Sequence, residues 1–298
     1  MRIEKKLALI FMFSSALSCN QDSPNNTLIE KSHNNSLQNK NKMETIYYSI
    51  PSPMETTIIL KNSYSRFSNQ LLFPEFSINK VYENQIIALL LGIISTDLNY
   101  AMLFERKFET NRLINQVIEI AQLLHLDAVV NSNTKERVES NLNNKDSMQI
   151  IIGNTFWEIE NKLKSDEKEH LSALIVAGGW LEGLYLATNM HELDPENKPL
   201  QNIIAEQKIV HENLLSLIAD FTYIDVIEDN FINPLENLKF VFKNILRTEI
   251  VENRPLIAEN NDEIVIGNYF NLKFEQKDLN EIFILASDIR KKILNQLL

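Results

Sequence analysis

The chain has 298 residues, a mass of 34.5 kDa and a formal charge of -11, from 29 Lys and Arg against 40 Asp and Glu. Apolar residues make up 44% and charged residues 23%, which is enough material for a core and excludes wholesale disorder. The acid excess excludes a nucleic-acid binder that relies on a basic face to displace counterions from phosphates.

Arg2, Lys5 and Lys6 form a short basic head, and Leu7 to Leu17 is an apolar run too short to span a bilayer. This is the layout of a secretory signal over residues 1–18. The run ends in Ala16-Leu17-Ser18-Cys19, and Cys19 is the sole cysteine. The segment resembles the bacterial lipobox, with Ala16 where that motif usually carries Leu. The resemblance implies that Cys19 is lipidated and becomes the mature N-terminus, so the protein meets a membrane through a fatty acyl (palmitate-type) anchor. Cleavage there leaves no thiol for disulfides, nucleophilic catalysis or zinc binding. It also removes a net +2, carried by Arg2, Glu4, Lys5 and Lys6, giving a mature charge of about -13. Asn20, rather than Asp, follows the cysteine. By resemblance to enterobacterial sorting this favours the outer membrane, with Asp22 a hint of surface export.

Residues 19–43 hold the lipid site and a polar tether rich in Asn, Ser, Gln and Lys that cannot bury enough surface to fold. About 23 such residues reach roughly 25–30 Å. The body, 44–298, reads as helices. Only 6 residues are glycine, about 2% where about 7% is usual, and β-rich folds need glycine at many turns. Ser52-Pro53-Met54-Glu55 predicts a capped helix start with proline at the first position. Leu71 to Phe76 is a connector broken by Pro74. A long helix over about 78–107 is apolar around most of its girth, which predicts the central helix of a bundle. Its apolar stretch stops at Ser95, which argues against a membrane span.

Thr110 predicts the cap of the next helix, and a short one follows near Thr134 to Leu142. Met148 to Leu163 carries Ile151, Ile152, Phe156, Ile159 and Leu163 on one side. Asp166 with Glu169 predicts the start of a helix to about Met190. Leu200 to Leu217 and Ile227 to Ile250 also read as helical, the latter irregular near Pro234. The stretch 255–275 predicts a small irregular or β-hairpin insert, and Asp278 with Glu281 the cap of the last helix. The fold class is all-α, a bundle of about eight helices with that insert before the last.

Chemistry could sit in two places. Ala173 and Ala177, then Gly179, Gly183 and Ala187, make a stripe of small residues that lets another helix come close, or leaves room for a ligand beside Trp180. Asp97 with Tyr100, and Glu182 with Tyr185, are polar pairs three residues apart on apolar helix faces. Buried carboxylates must be paired or carry raised pKa values. Asp–Tyr and Glu–Tyr bonds that set helix register are one reading, and a general acid and base are the other. The candidate ligand-binding residues are therefore Asp97, Tyr100, Trp180, Glu182 and Tyr185. The histidines (His33, His125, His170, His191, His211) form no His-Glu-x-x-His pattern, and no metal site or cofactor is expected.

Ile50-Pro51-Ser52-Pro53, Leu91-Gly92 through Asp97-Leu98-Asn99-Tyr100-Ala101, and Ala177-Gly178-Gly179-Trp180-Leu181-Glu182-Gly183-Leu184-Tyr185 resemble, over about residues 45–225, a family of uncharacterised helical lipoproteins from Bacteroidota. The resemblance implies an envelope location and a helical body, and supplies no catalytic residues. The expectation is a non-enzymatic envelope lipoprotein that binds a protein partner or small ligand, without nucleic acid. A carboxylate-based hydrolase acting on an envelope polymer and a structural spacer are the alternatives.

Overall fold

The computed structural model describes residues 50, 53–64, 66–76, 83–249 and 270–297. The lipobox, the tether, Ser52 and most of the expected 255–275 insert lie outside the described residues. Among those described there are nine helices: α1 Pro53–Ser63, α2 Asn84–Leu103, α3 Lys107–Leu123, α4 Ser132–Ser140, α5 Lys145–Ser165, α6 Glu169–Leu193, α7 Lys198–Ile218, α8 over 225–242, and α9 Gln276–Asn295. They pack into a bundle, and the all-α expectation holds.

The centre is the α2–α6 pair. Every residue of α2 from Ile86 to Leu103 is buried, polar ones included, because neighbours cover its whole girth. By length and composition α2 and α6 could each cross a membrane, yet their apolar windows are almost wholly buried inside the body. Around them α1 and α3 lie on α2, and α5, α7 and α9 lie on α6. The two central helices touch at backbone distance. A Cβ added to Gly92 would overlap the Ile175 carbonyl oxygen and sit 2.7 Å from the Gly179 nitrogen, and one added to Gly178 would overlap the Leu89 carbonyl. The Thr96 hydroxyl then bridges the helices, donating to the Gly92 and Gly179 carbonyls at 3.1 and 3.2 Å. The glycine-rich stretch is thus a tight crossing, permitted by Gly178 on one helix and Gly92 on the other.

Three helix ends share one device. Past α2, α3 and α5 the chain turns left-handed at Glu105, His125 and Glu167, with φ of 59°, 61° and 57°. In each case the next amide reaches back five residues, Arg106 to Ala101, Leu126 to Ala121 and Lys168 to Leu163, at 2.8–2.9 Å. This Schellman closure satisfies carbonyls the helix leaves open and normally uses glycine at the left-handed position.

Three expected caps shift. Thr110 lies inside α3, which starts after Arg106. Asp166 closes α5, held by Lys162 at 2.6 Å, rather than opening α6. Asp278 is the third residue of α9 and bonds back to the Glu275 amide at 2.8 Å, so Glu275 is the cap. In each case local side-chain chemistry suits both positions, and packing of the apolar face decides.

The irregularity near Pro234 is real. α8 begins at Asp225–Ile227, widens to a π turn over Glu228–Ile232, and resumes as Asn233–Phe242. Pro234 has no N–H to give the preceding turn, and the π turn absorbs that. The helix ends at Phe242, not Ile250. Leu246–Glu249 instead pairs antiparallel with Phe270–Lys273, Leu246 opposite Lys273 and Glu249 opposite Phe270. Of these strands, β1 and β2, only β2 falls within the expected 255–275 insert; β1 falls in the stretch read as helix. Asn244 donates to Asp278 at 3.1 Å and so ties the end of α8 to the start of α9.

Candidate functional site

The connector after α1 runs through a short 3-10 turn, Asn69–Leu71, into extended backbone, and buries Leu71, Leu72 and Phe73. Extended backbone in a core must find hydrogen-bond partners outside itself. Here side chains supply them. The Ser68 amide donates to the Tyr100 hydroxyl at 2.9 Å, the Phe73 amide to Asp97 Oδ2 at 2.6 Å, and the Leu71 carbonyl accepts from Arg290 Nη2 at 3.1 Å. Tyr100 and Asp97 come from α2 and Arg290 from α9.

Arg290 is the centre of this cluster. Its Nε and Nη2 grip both carboxylate oxygens of Glu182 at 2.7 and 2.8 Å, the bidentate geometry that suits a guanidinium. Its guanidinium lies 3.9 Å from the centre of the Tyr185 ring and 4.8 Å from that of Phe73. Burial opposes its charge, but the Glu182 carboxylate outweighs burial and holds Arg290 protonated.

Asp97 is wholly buried, and burial, then the nearby Glu182 charge, push its pKa well above the ordinary carboxylate range; Arg290 and the Phe73 amide pull the other way and lose. Its Oδ1 meets no donor in the fold. Burial and the neighbouring Glu182 charge thus favour the protonated form of Asp97, and Arg290 balances the charge of Glu182, which it holds at both oxygens. The cluster is neutral overall, as a dry interior requires.

Of the five residues singled out in the sequence, Asp97, Glu182 and Tyr185 meet around Arg290. Tyr100 adjoins them; its ring stacks on Phe67 at 4.9 Å, and burial lifts its pKa to about 12. The expected Asp–Tyr and Glu–Tyr bonds are replaced by bonds to the connector and to Arg290. Trp180 does not belong to the cluster. It lies two residues before Glu182 and so points the opposite way, where its Nε1 donates to Gln207 at 2.9 Å on α7 and its ring lies 5.6 Å from that of His211.

His211 is fully buried between Trp180 and Phe242, and its Nε2 donates to the Leu235 carbonyl at 2.8 Å. Burial lowers its pKa to about 4, so it is neutral at pH 7.

The carboxylate pair meets one condition of acid–base chemistry, proximity, and lacks another. Asp97 and Glu182 have no exposed surface, and Leu71 to Phe73 lie over them. A polymer chain has no way to reach them, so hydrolysis by this pair finds no support. Among the described residues no group of three or more His, Asp or Glu is placed to hold a metal ion. An open concavity lies elsewhere, a polar hollow of ≈ 280 Å³ between the ends of α1 and α6, lined by Ser63, Tyr64, Arg66, Leu193, Asp194 and Asn197.

Sequence reasoning missed Arg290. The signal was present: a lone cation on the apolar stripe of Ala286, Ile289 and Ile293 in α9, where it must be buried with a partner. It also missed Ile150 and Trp157, large apolar residues exposed on α5.

Comparison with protein-family models, with curated proteins and with solved structures finds no match to the chain.

Proposed function

We propose that this chain is a non-enzymatic, lipid-anchored protein of the bacterial cell envelope whose helical body serves as a scaffold for a protein partner or small ligand. The observation that carries the reading is the order of parts: a basic head, a short apolar run ending at the sole cysteine, a polar segment, then a self-contained helical body. Asn20 after the cysteine favours the outer membrane, and the resemblance over 45–225 points to the same compartment. The interior supports binding at the surface over catalysis within. Its polar cluster is already occupied in holding the connector backbone, while the hollow beside Arg66 and exposed apolar side chains on several helices face solvent.

Metabolic labelling with palmitate, followed by fractionation, tests the anchor. The expected result is a labelled outer-membrane protein, with label lost in Cys19→Ser. An unlabelled wild-type protein that keeps Met1 and stays in the cytosol overturns it.

A further inference from the structure

Three chain ends meet at the polar hollow: α1 stops at Ser63, α6 stops at Leu193 and α7 starts at Lys198. Asn197, the cap of α7, ties them together. Its Oδ1 accepts from the Leu200 amide at 3.0 Å, and its Nδ2 donates to the Ser63 carbonyl at 3.0 Å and to Asp194 Oδ2 at 3.2 Å. The first bond is what any helix cap supplies. The other two shape the hollow and hold the Asp194 carboxylate by one oxygen, leaving Oδ1 without a partner among the described residues. Arg66 lines the same hollow, is exposed, and has no hydrogen bond or ion pair among the described residues. No ion pair joins Arg66 to Asp194, so each charge still has bonds to offer. Leu193, 62% exposed, adds an apolar side chain to the lining.

We propose that this hollow binds a free α-amino acid with an aliphatic side chain. The Arg66 guanidinium takes the ligand's carboxylate through its fork of N–H donors, Asp194 Oδ1 accepts from the ligand's ammonium, and Leu193 covers part of the side chain. A ligand of one sign fits less well. Inorganic phosphate would meet Arg66 but also face the Asp194 carboxylate, and a metal cation would find one carboxylate and face the guanidinium. A zwitterion answers both groups at once and brings no net charge. At ≈ 280 Å³ the hollow lies just below the roughly 300–1,000 Å³ of pockets for drug-sized molecules, which suits a ligand of this size. The lining is polar and open, so water competes for the same bonds and the Kd is expected at about 0.1–1 mM. The proposal rests on the scaffold reading above and names the class of its small ligand.

Isothermal titration calorimetry of the full chain carrying Cys19→Ser, with L-leucine to about 10 mM, reads the binding directly. 4-Methylpentanoate lacks the ammonium and 3-methylbutylamine lacks the carboxylate, and each is expected to bind at least about tenfold more weakly than leucine. Glycine, with no side chain for Leu193 to cover, should bind severalfold more weakly. Arg66→Gln should reduce leucine binding to the level of 3-methylbutylamine and leave the amine itself unchanged. Asp194→Asn should do the same with respect to 4-methylpentanoate; its amide oxygen still accepts from Asn197, so the hollow keeps its shape. Both positions are exposed, and thermal melts should show an unchanged Tm for each variant. No binding of leucine over this range, equal binding of leucine and its two analogues, or a leucine affinity indifferent to either substitution overturns the proposal. Glycine binding as well as leucine overturns the aliphatic class. Inorganic phosphate binding in preference to leucine, and lost in Arg66→Gln, overturns it in favour of an anion site. Palmitate labelling does not involve the hollow, so failure here leaves the anchor reading standing, and an unlabelled chain that binds leucine separates the two in the other direction.

Discussion

Arg290, Glu182 and Asp97 form a set in which each residue makes the burial of the others tolerable. Removing one ion of a buried pair strands the other, so Arg290→Ala or Glu182→Ala is expected to cost about 3–5 kcal/mol in urea denaturation. Glu182→Met with Arg290→Met should cost less than the sum of the two single changes, because no charge is left unpaired. Arg290→Lys should not restore stability, since an ammonium cannot hold both oxygens of Glu182 and the Leu71 carbonyl together. Asp97→Asn is the informative contrast. Its amide can donate to Glu182 while its oxygen still accepts from the Phe73 amide, so the loss is expected to stay under about 1.5 kcal/mol. Full loss of folding in Asp97→Asn would show that the proton assigned to Asp97 is misplaced.

The helices themselves were readable because hydrophobic spacing is local, and α2, apolar around its girth, announced itself as central. The caps were not readable at Thr110, Asp166 and Asp278, since the same short polar residues serve a helix start, a helix end or a first turn. The cluster was half readable. Asp97 and Glu182 stood out as carboxylates on apolar faces, but the Arg290 that resolves them lies 108 residues from Glu182, and nothing in a local pattern links them. The scarcity of glycine has a cost visible at three helix ends, where Glu105, His125 and Glu167 adopt a left-handed backbone with exposed side chains. Replacing each by glycine is expected to stabilise the fold by about 0.5–1 kcal/mol, additively, because the sites are independent. Thermal melts of the triple variant check this, and no gain would mean the side chains contribute more than their exposure suggests. Gly92→Ala and Gly178→Ala should do the opposite, since the new methyl meets backbone carbonyls that cannot move aside.

For the whole molecule, two buried groups give the pH dependence of stability opposite slopes. His211 falls from an unfolded value near 6.5 to about 4 in the fold. Its contribution is complete above about pH 6.5 and is lost as pH falls towards 4, up to about 3 kcal/mol. Asp97 is raised, so its contribution is complete below about pH 4 and is lost as pH climbs through its folded value. Wild-type stability should therefore vary little across mildly acidic pH. His211→Gln, which keeps a donor for Leu235, should leave a curve that declines with rising pH, and Asp97→Asn one that declines with falling pH. Denaturation series at several pH values separate the two, and parallel curves for all three proteins would refute the assignment. The bond from Arg290 to the Leu71 carbonyl also spans 219 residues. Arg290 follows Glu182 by 108 residues, so during synthesis the carboxylate of Glu182 has no counter-ion until α9 has been made. A chain that lacks α9 would thus bury that carboxylate unpaired, which makes this helix a check on the folding of everything before it.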